Sequence, residues 1–332
     1  MIYKNCIPEK QKYSLSIDLE KELQQYSKGL ITQYGFSCGN NKDYLRLYLN
    51  LRKRIILPIP RKVVKSSEFE CPSEYRHALC EIELKIQNGS SLVPYMSDKV
   101  LDLTYEDLLL SDWNIHHLHL SCRMRPDGFT KRSDYELFVY VTNETVYFIQ
   151  IYPHKKQYLY STQEMVRIIH KNWPYLISKY KIKGIVSGGE EITDESYDLL
   201  RNNGISALVD VGNGNIYMSF GGGYASNKSS VDVTKGTFYW KELMHNYQSL
   251  VVRESKNIIK TIYQIRGNDT DCDLCFSLIC INDDTLTLIE NNNGICLQLF
   301  KSKNYYRMFY PKDLISVEES QNIRNNYRLK TT

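Results

Sequence analysis

The stretch YELFVYVTNETVYFIQI, residues 135–151, contains two runs of alternating residues on either side of the polar triplet Thr142–Glu144. Residues 136–142 and 145–151 each alternate with the period of two that is typical of a β-strand. A short polar connection between two such runs predicts an antiparallel hairpin. The fold is therefore expected to contain a sheet built on this hairpin.

A histidine-rich stretch, DWNIHHLHLS at residues 112–121, precedes the hairpin and holds three of the seven histidines of the chain. Residues 115–121 alternate as well, so they predict another strand. On a strand, His117 and His119 point to one side, whereas His116 points to the other side together with two leucines. The backbones of His117 and His119 then lie roughly 6.5–7 Å apart, so that both rings can reach one phosphate or one metal ion.

Helical periodicity precedes and follows these strands. Apolar residues recur every three or four positions, which is typical of one face of an α-helix, and a capping box from Ser161 to Glu164 marks the start of one helix. Helices are expected over residues 19–30, 45–49, 72–86, 161–176, 193–203 and 240–250. Further strands are expected at 184–187, 207–211, 216–220, 273–281, 284–290 and 295–300. Because the strands pair locally and helices flank them, the predicted class is α+β.

The distribution of these elements predicts three regions. Residues 1–110 are expected to be mostly helical, and residues 111–226 are expected to form a mixed or antiparallel α+β core that holds the histidine-rich hairpin. Residues 227–332 are expected to form a helix followed by a small antiparallel meander.

The composition of the chain limits the classes of protein to which it can belong. With 332 residues the chain is long enough for about two domains and a sizeable core. The net charge of only +4 excludes a globally basic protein that coats DNA. The nine cysteines are scattered, and neither an apolar leader nor an apolar run of about 18 residues occurs. These observations predict a cytoplasmic protein with free thiols and no membrane-spanning segment.

Basic residues surround the histidine strand in the sequence. His154 and Tyr158 follow the hairpin and, with His117 and His119, form the expected catalytic set. Metal-free cleavage of RNA needs a base for the 2′-hydroxyl, an acid for the leaving 5′-oxygen and cations for the charged transition state. Tyr158 can stack on a base or position the 2′-hydroxyl. The cations expected to hold phosphate are Arg123, Arg125, Lys131, Arg132, Lys155 and Lys156.

The same segment resembles a family of small toxins. A histidine-bearing strand, a basic loop, the hairpin and the ending PHKKQY at 153–158 resemble the sheet of the RelE/ParE-type toxin endoribonucleases. Lys155 stands where that family has an arginine. The resemblance implies RNA as substrate and an antitoxin or defence-complex protein as partner, and residues 61–227 also resemble a prokaryotic family without an assigned activity. The matching positions are His119, Arg123, Tyr140, His154, Lys155 and Tyr158.

Other interpretations of the histidine strand stay open. The same surface can bind nucleic acid or a partner without catalysis. The pair His117 and His119 can hold the metal ion of a metal-dependent hydrolase, in which case a chelator abolishes the activity. The strand can also be structural, because Lys and Arg side chains often protect a sheet edge.

Three further motifs give weaker indications. The glycine-rich loop at 219–230 can seat an anion or simply precede a serine-capped helix. Cys272 and Cys275 are expected to be free thiols because no second ligand pair completes a zinc site. The basic run 52–65, interrupted by two prolines, is expected to be an extended connector that can contact nucleic acid.

The leading expectation is a metal-independent endoribonuclease that acts on RNA as a toxin or phage-defence effector and needs no cofactor. The histidines at 117, 119 and 154 are expected to share the acid–base work. The basic side chains on either side are expected to hold the phosphate.

Overall fold

The computed structural model of the protein describes residues 13–184, 192–282, 284–300 and 306–309. Within these ranges it contains eight α-helices together with mixed and antiparallel sheets, which confirms the α+β class. The helices are α1 (Leu19–Gln33), α2 (Tyr44–Arg54), α3 (Arg76–Gln87), α4 (Leu108–Trp113), α5 (Glu164–Asn172), α6 (Pro174–Ile177), α7 (Asp194–Asn202) and α8 (Val231–Arg266). The strands are β1 (Ser14–Ser16), β2 (Lys62–Lys65), β3 (Ile115–His119), β4 (Tyr135–Val141), β5 (Thr145–Pro153), β6 (Val209–Asp210), β7 (Ile216–Tyr217), β8 (Asp273–Ile281), β9 (Thr285–Glu290), β10 (Ile295–Phe300) and β11 (Tyr306–Phe309).

The chain divides into two compact units. One unit combines Met1–Leu49 with Lys235–Thr332, and the other is the continuous segment Asn50–Thr234. The three regions drawn from the sequence at residues 110 and 226 describe local element content, and that division stays a prediction.

The first unit contains a five-stranded sheet in the order β1-β8-β9-β10-β11. Strand β1 pairs with β8 in parallel, and the other neighbours are antiparallel. The sheet confirms the three strands that alternation predicts near the end of the chain. Two short strands at its edges, β1 and β11, carry too few residues to show a period in the sequence.

The second unit contains a four-stranded sheet in the order β2-β5-β4-β3. The pairs β3–β4 and β4–β5 are antiparallel, which confirms the central hairpin and the histidine strand. Strand β2 pairs with β5 in parallel. This strand comes from the end of the basic run 52–65, which the sequence predicted to be a connector. The strand expected at 184–187 lies outside the described residues except for Gly184, and the expected hairpin at 207–220 is present as β6 and β7.

Apolar clusters cover both faces of this four-stranded sheet. On one face, Ile115 and Phe138 pack with buried residues of α4, α5 and α6. On the other face, Leu118 and Val139 pack with buried residues of α3. Full burial of such a side chain stabilises the fold by roughly 1.5–3 kcal/mol. Both faces of the histidine strand therefore belong to the core, although the sequence assigned only the side of His116 to it.

Much of the basic run 52–65 is used inside the protein. Arg54 is buried and donates to two backbone carbonyl oxygens at 2.8 and 3.0 Å. Arg61 is also buried and donates to the Thr142 carbonyl oxygen at 2.8 Å. The Nζ atom of Lys53 donates to the Gly221 carbonyl oxygen at 2.7 Å. Three of the six cations of this run thus stabilise the fold, and they do not form the nucleic-acid contact that their sequence spacing suggested.

The glycine-rich loop is also held by backbone hydrogen bonds. Gly221 N–H donates to the Asp112 carbonyl oxygen at 2.7 Å, and Gly223 N–H donates to that of Ser111 at 2.8 Å. A Cβ atom at Gly221 would overlap the Leu110 carbonyl oxygen, which explains why a glycine is needed at this close approach. Because these two N–H groups already donate to the end of α4, they are not available to an anion.

The helix expected over 161–176 differs from the prediction at both ends. Ser161 does not cap it: the residue closes a separate 3₁₀ turn, Leu159–Ser161, and its hydroxyl donates to Asp198 Oδ1 at 2.7 Å. Helix α5 begins at Glu164. It ends before Pro174, because proline has no N–H group to continue the helical hydrogen bonds, and the short α6 follows.

None of the helices in the described part of the chain combines the length and the apolar character needed to cross a membrane.

A buried ion pair connects α4, α7 and the glycine-rich loop. Asp112 is fully buried, and one of its carboxylate oxygens accepts hydrogen bonds from Arg201 Nε at 3.0 Å and Nη2 at 2.7 Å. The Tyr197 hydroxyl donates to the same oxygen at 3.1 Å, and the Ser219 hydroxyl donates to the other. The guanidinium group also lies over the Trp113 ring, 4.1 Å from its centroid. Both charges are thereby well satisfied.

We expect Arg201→Leu to lower the free energy of unfolding by about 3–5 kcal/mol, because the Asp112 charge stays buried without its cation. Urea unfolding measures the loss. Lys156→Ala is the control: it breaks the exposed pair with Glu164, 3.2 Å long, and should cost under about 1 kcal/mol. An Arg201→Leu loss no larger than that of the control would contradict this account of the ion pair.

His116 gives the fold a dependence on pH. Burial lowers the pKa of His116 to about 4, from an ordinary value of 6.5. The unfolded chain therefore binds a proton at His116 between these two values, whereas the folded chain does not. The free energy of unfolding must fall as the pH is lowered from 6.5 through 4, by about 3 kcal/mol for this residue.

We expect His116→Asn to reduce this dependence on pH, because asparagine does not titrate. Urea unfolding of the wild type and the variant at several pH values between 4 and 6.5 tests the expectation. His245→Asn, at an exposed histidine of α8, serves as the control and should keep the wild-type slope. Equal slopes in the wild type and in His116→Asn would show that His116 does not resist protonation.

Candidate functional site

A cleft of about 600 Å³ lies in the second unit and is lined in part by the histidine strand. Its walls include side chains from β3, from the segment before α4, from the 3₁₀ turn after β5 and from α7. The volume is in the range that accommodates a small ligand.

Glu136 lies in this cleft, with only 1% of its surface exposed. The Tyr160 hydroxyl donates to Glu136 Oε2 at 2.8 Å. The other oxygen, Oε1, lies 3.5 Å from His119 Nδ1 and 3.9 Å from His154 Nε2. We call these four residues, His119, Glu136, His154 and Tyr160, the Glu136 cluster. One buried carboxylate therefore accepts a hydrogen bond from a phenol and lies near two imidazoles, although His119 Nδ1 forms no hydrogen bond to a described residue.

Sheet register and the following turn bring the Glu136 cluster together. His119 on β3 lies directly opposite Glu136 on the antiparallel strand β4. Such opposite residues on one face of a sheet bring their side chains into contact. His154 is the first residue after β5, and its backbone N–H donates to the Asp134 carbonyl oxygen at 2.7 Å. Tyr160 lies in the 3₁₀ turn that follows.

His117 lies on the same face of β3 as His119, next to the Glu136 cluster. Its ring centroid is 5.2 Å from that of Tyr160 and 6.1 Å from that of Phe138. Its Nδ1 atom is buried, and no described residue forms a hydrogen bond to it. His117 therefore packs as an aromatic ring beside the Glu136 cluster.

Burial controls the protonation of two members of the Glu136 cluster. Burial lowers the pKa of His119, and the nearby Glu136 carboxylate opposes this shift only in part. Burial and the same carboxylate raise the pKa of Tyr160. Near neutral pH, His119 is consequently a neutral base, and Tyr160 keeps its hydroxyl proton. This state allows His119 to accept a proton from a ligand.

The charges that line the cleft are mixed. The cations are Arg54, Lys99, Arg132 and Arg201, and the acids are Glu106, Asp107, Glu136 and Asp198. The guanidinium groups at 54 and 201 already donate to buried carbonyl and carboxylate groups. Lys99 and Arg132 are exposed, and Arg132 has only a long contact with Asp98, 3.4 Å. These two exposed cations are the ones best placed to meet an anionic ligand.

The structure brings together some of the residues singled out in the sequence. His117, His119, His154 and Arg132 line the cleft. Six others do not line it: Arg123, Arg125, Lys131, Lys155, Lys156 and Tyr158.

Local contacts explain where several of the other residues lie. Arg125 pairs with Asp98 at 3.3 Å and with Asp127, and Lys156 pairs with Glu164 at 3.2 Å. The Tyr158 hydroxyl hydrogen-bonds to a carboxylate, Glu195, and this bond raises the pKa of Tyr158. Tyr158 has a positive φ of 51°, which redirects the chain so that Tyr160 reaches the cleft.

Two central residues of the site, Glu136 and Tyr160, were not assigned a role from the sequence. A signal for Glu136 did exist, because it shares a strand face with Phe138 and Tyr140 and is thus an acid on an apolar face. Buried acids of this kind often mark functional sites. Tyr160 had no comparable signal, since its position depends on the turn that precedes it.

The histidine pair does not form a three-ligand metal group in this structure. Within the described ranges, such a group of His, Cys, Asp or Glu, with its ligand atoms within 4.8 Å of one another, occurs at His77, Glu81 and Cys122. His117 and His119 belong to no such group.

The sequence matches no protein-family profile, and comparisons with curated proteins and with solved structures give no significant match. The resemblance to RelE/ParE-type toxins accordingly stays an expectation from residues 112–160 alone.

Proposed function

We propose that the cleft cleaves RNA by acid–base catalysis without a metal ion. The observation that carries this proposal is the Glu136 cluster, in which one buried carboxylate lies within 4 Å of two imidazoles, at 3.5 and 3.9 Å. A carboxylate beside an imidazole orients the ring and stabilises its protonated form. Two histidines that share such a partner can take up a proton at one position and release one at another.

In the proposed reaction, His119 removes the proton of a ribose 2′-hydroxyl. The 2′-oxygen then forms a bond to the adjacent phosphorus, and the bond from phosphorus to the 5′-oxygen breaks. His154 gives its proton to that leaving oxygen. The products are a 2′,3′-cyclic phosphate and a 5′-hydroxyl, and proton exchange with water returns both histidines to their starting states.

The assignment of base and acid follows from burial. His119 is 5% exposed and has a lowered pKa, so it is unprotonated and ready to act as the base. The His154 side chain is 50% exposed at the rim, where it can regain a proton from water between turnovers. Although burial lowers the pKa of His119, the Glu136 carboxylate opposes this shift and so stabilises His119 while it carries the proton.

Two exposed cations support phosphate as the reacting group. Arg132 and Lys99 line the cleft and can approach the oxygens of a phosphodiester. The Tyr160 and His117 rings, 5.2 Å apart, offer flat surfaces on which a base can stack. A cleft of about 600 Å³ is large enough for one nucleotide unit of a single strand.

The setting that we propose is the cytoplasm, with an antitoxin or another defence protein as a partner. The eight cysteines in the described part of the chain are all free thiols, which suits a reducing compartment. The role as a toxin or phage-defence effector rests on the sequence resemblance and not on the cleft.

We expect the purified protein to cleave single-stranded RNA in the presence of EDTA. His119→Ala and His154→Ala should each lower the rate by about 10²–10⁴-fold, which is typical of the loss of a general acid or base. Gel analysis of RNA fragments, with identification of their end groups, measures both the rate and the proposed products. His245→Ala, which changes an exposed histidine of the other unit, is the matched control and should cleave as the wild type does.

Other outcomes would point to different functions. Cleavage that EDTA abolishes in the wild type, and that added Mn²⁺ or Zn²⁺ restores, would indicate a metal-dependent hydrolase. RNA that is retained but not cleaved, with binding weakened by Arg132→Ala and unchanged by His119→Ala, would indicate a non-catalytic binding protein.

A further inference from the structure

Three side chains of types that can bind a metal ion meet at the surface of the second unit, outside the cleft. His77 and Glu81 belong to α3, and Cys122 lies three residues after the end of β3. One ligand atom from each residue lies within 4.8 Å of the ligand atoms of the other two. The closest measured pair is His77 Nδ1 and Cys122 Sγ, at 3.1 Å. None of the three residues lines the cleft.

The position of the trio follows from the helix period. His77 and Glu81 are four residues apart, so they lie on the same face of α3, one turn from each other. Leu79 and Ile82 of the same helix are buried in the apolar cluster on the sheet. Packing of these two residues fixes the rotation of α3 and directs its other face towards the segment that contains Cys122.

The spacing suits a tetrahedral ion. Zinc binds thiolate sulfur at about 2.3 Å and imidazole nitrogen at about 2.0–2.1 Å, so a neighbouring sulfur and nitrogen in a tetrahedral site lie roughly 3.5 Å apart. The 3.1 Å between His77 and Cys122 is close to this value. Both side chains are exposed, so small rotations can bring them to the ion.

A buried tyrosine holds the third ligand in place. The Tyr95 hydroxyl donates to Glu81 Oε1 at 2.7 Å, and Tyr95 itself is only 2% exposed. Hydrogen bonds of this kind to a metal-binding carboxylate orient it and strengthen metal binding. Glu81 is thus presented by a rigid part of the core, although it lies at the surface.

We propose that His77, Glu81 and Cys122 bind one zinc ion. A thiolate with an imidazole favours Zn²⁺ over the hard cations Mg²⁺ and Ca²⁺, which prefer oxygen ligands. On binding, the Cys122 sulfur forms a bond to zinc and its proton passes to water. The ion joins α3 to the segment between β3 and β4, which also carries Arg132. This site is independent of the proposed RNA cleavage, because it shares no residue with the cleft.

Cobalt(II) provides a direct probe of the site. We expect the reduced, full-length protein to bind one equivalent of Co²⁺ with the visible absorption of tetrahedral cobalt and a thiolate-to-cobalt charge-transfer band, and Zn²⁺ should displace it. Cys122→Ser should remove the charge-transfer band, and His77→Ala should weaken binding at least tenfold. Tyr95→Phe keeps all three ligands and should weaken binding by about 10–100-fold.

Cys80→Ser is the matched control, because Cys80 is an exposed thiol on the same helix and lies outside the trio. It should keep the wild-type spectrum and the rise in melting temperature that Zn²⁺ causes, whereas His77→Ala should lose that rise. His77 is exposed, so this variant tests the site even where Cys122→Ser fails to fold. Only octahedral cobalt in the wild type, or a thiolate band unchanged in both Cys122→Ser and His77→Ala, would overturn the proposal.

The proposed zinc site adds a comparison to the RNA cleavage experiment with EDTA. If zinc merely stabilises the fold, Cys122→Ser and EDTA should lower the melting temperature alike and leave cleavage by the folded protein intact. Failure of the zinc proposal would show in the cobalt spectrum, whereas failure of the proposed function would show in the RNA fragments.

Discussion

Burial of the Glu136 carboxylate is the constraint on which the candidate site depends. A carboxylate that is 1% exposed has lost nearly all its hydration, and the uncompensated cost of such burial is several kcal/mol. The Tyr160 hydroxyl offsets part of this cost through a 2.8 Å hydrogen bond, and His119 and His154 lie near the other oxygen. The charge is therefore tolerable only while these three neighbours stay in place. The same neighbours are the groups that can move protons in the cleft.

The precision of that arrangement comes from the sheet. The antiparallel pairing of β3 with β4 sets His119 opposite Glu136, and a shift of one residue would turn either side chain to the other face. Apolar clusters on both faces oppose such a shift, because it would move the apolar side chains of the strand from one cluster into the other. The packing of the core therefore also sets the geometry of the candidate site. The Asp112–Arg201 pair adds a second rigid contact, since Arg201 also lines the cleft.

Periodicity in the sequence was sufficient to predict the main helices and strands and to assign the residues of the histidine strand to its two faces. Alternation located β3, β4 and β5, and it placed His117 and His119 on one face. It could not locate contacts that depend on distant parts of the chain. Tyr160 reaches the cleft because of a positive φ at Tyr158, and a local pattern does not reveal such a turn. The His77–Glu81–Cys122 trio was missed for the same reason, because Cys122 is 41 or more residues from its partners along the chain.

The pattern of charges in the sequence likewise did not predict which basic side chains are buried in the fold. The run 52–65 is dense in cations, yet Arg54 and Arg61 donate to backbone carbonyl groups inside the fold. Charge density along a sequence says how many cations a segment has, but it does not say which of them are buried. Arg132, by contrast, is exposed and lines the cleft, and its role in binding phosphate stays a prediction.

The most direct test of the central claim is the pH dependence of RNA cleavage by Glu136→Gln beside the wild type. Glutamine keeps the size of the side chain and can still accept the Tyr160 hydrogen bond, and a neutral amide is easier to bury than a carboxylate. The variant should therefore fold, and its rate should fall by about 100-fold or more because no charge stabilises the protonated form of His119. Cleavage by Glu136→Gln at the wild-type rate and with the wild-type pH profile, or a wild-type protein that leaves RNA intact, would contradict the account.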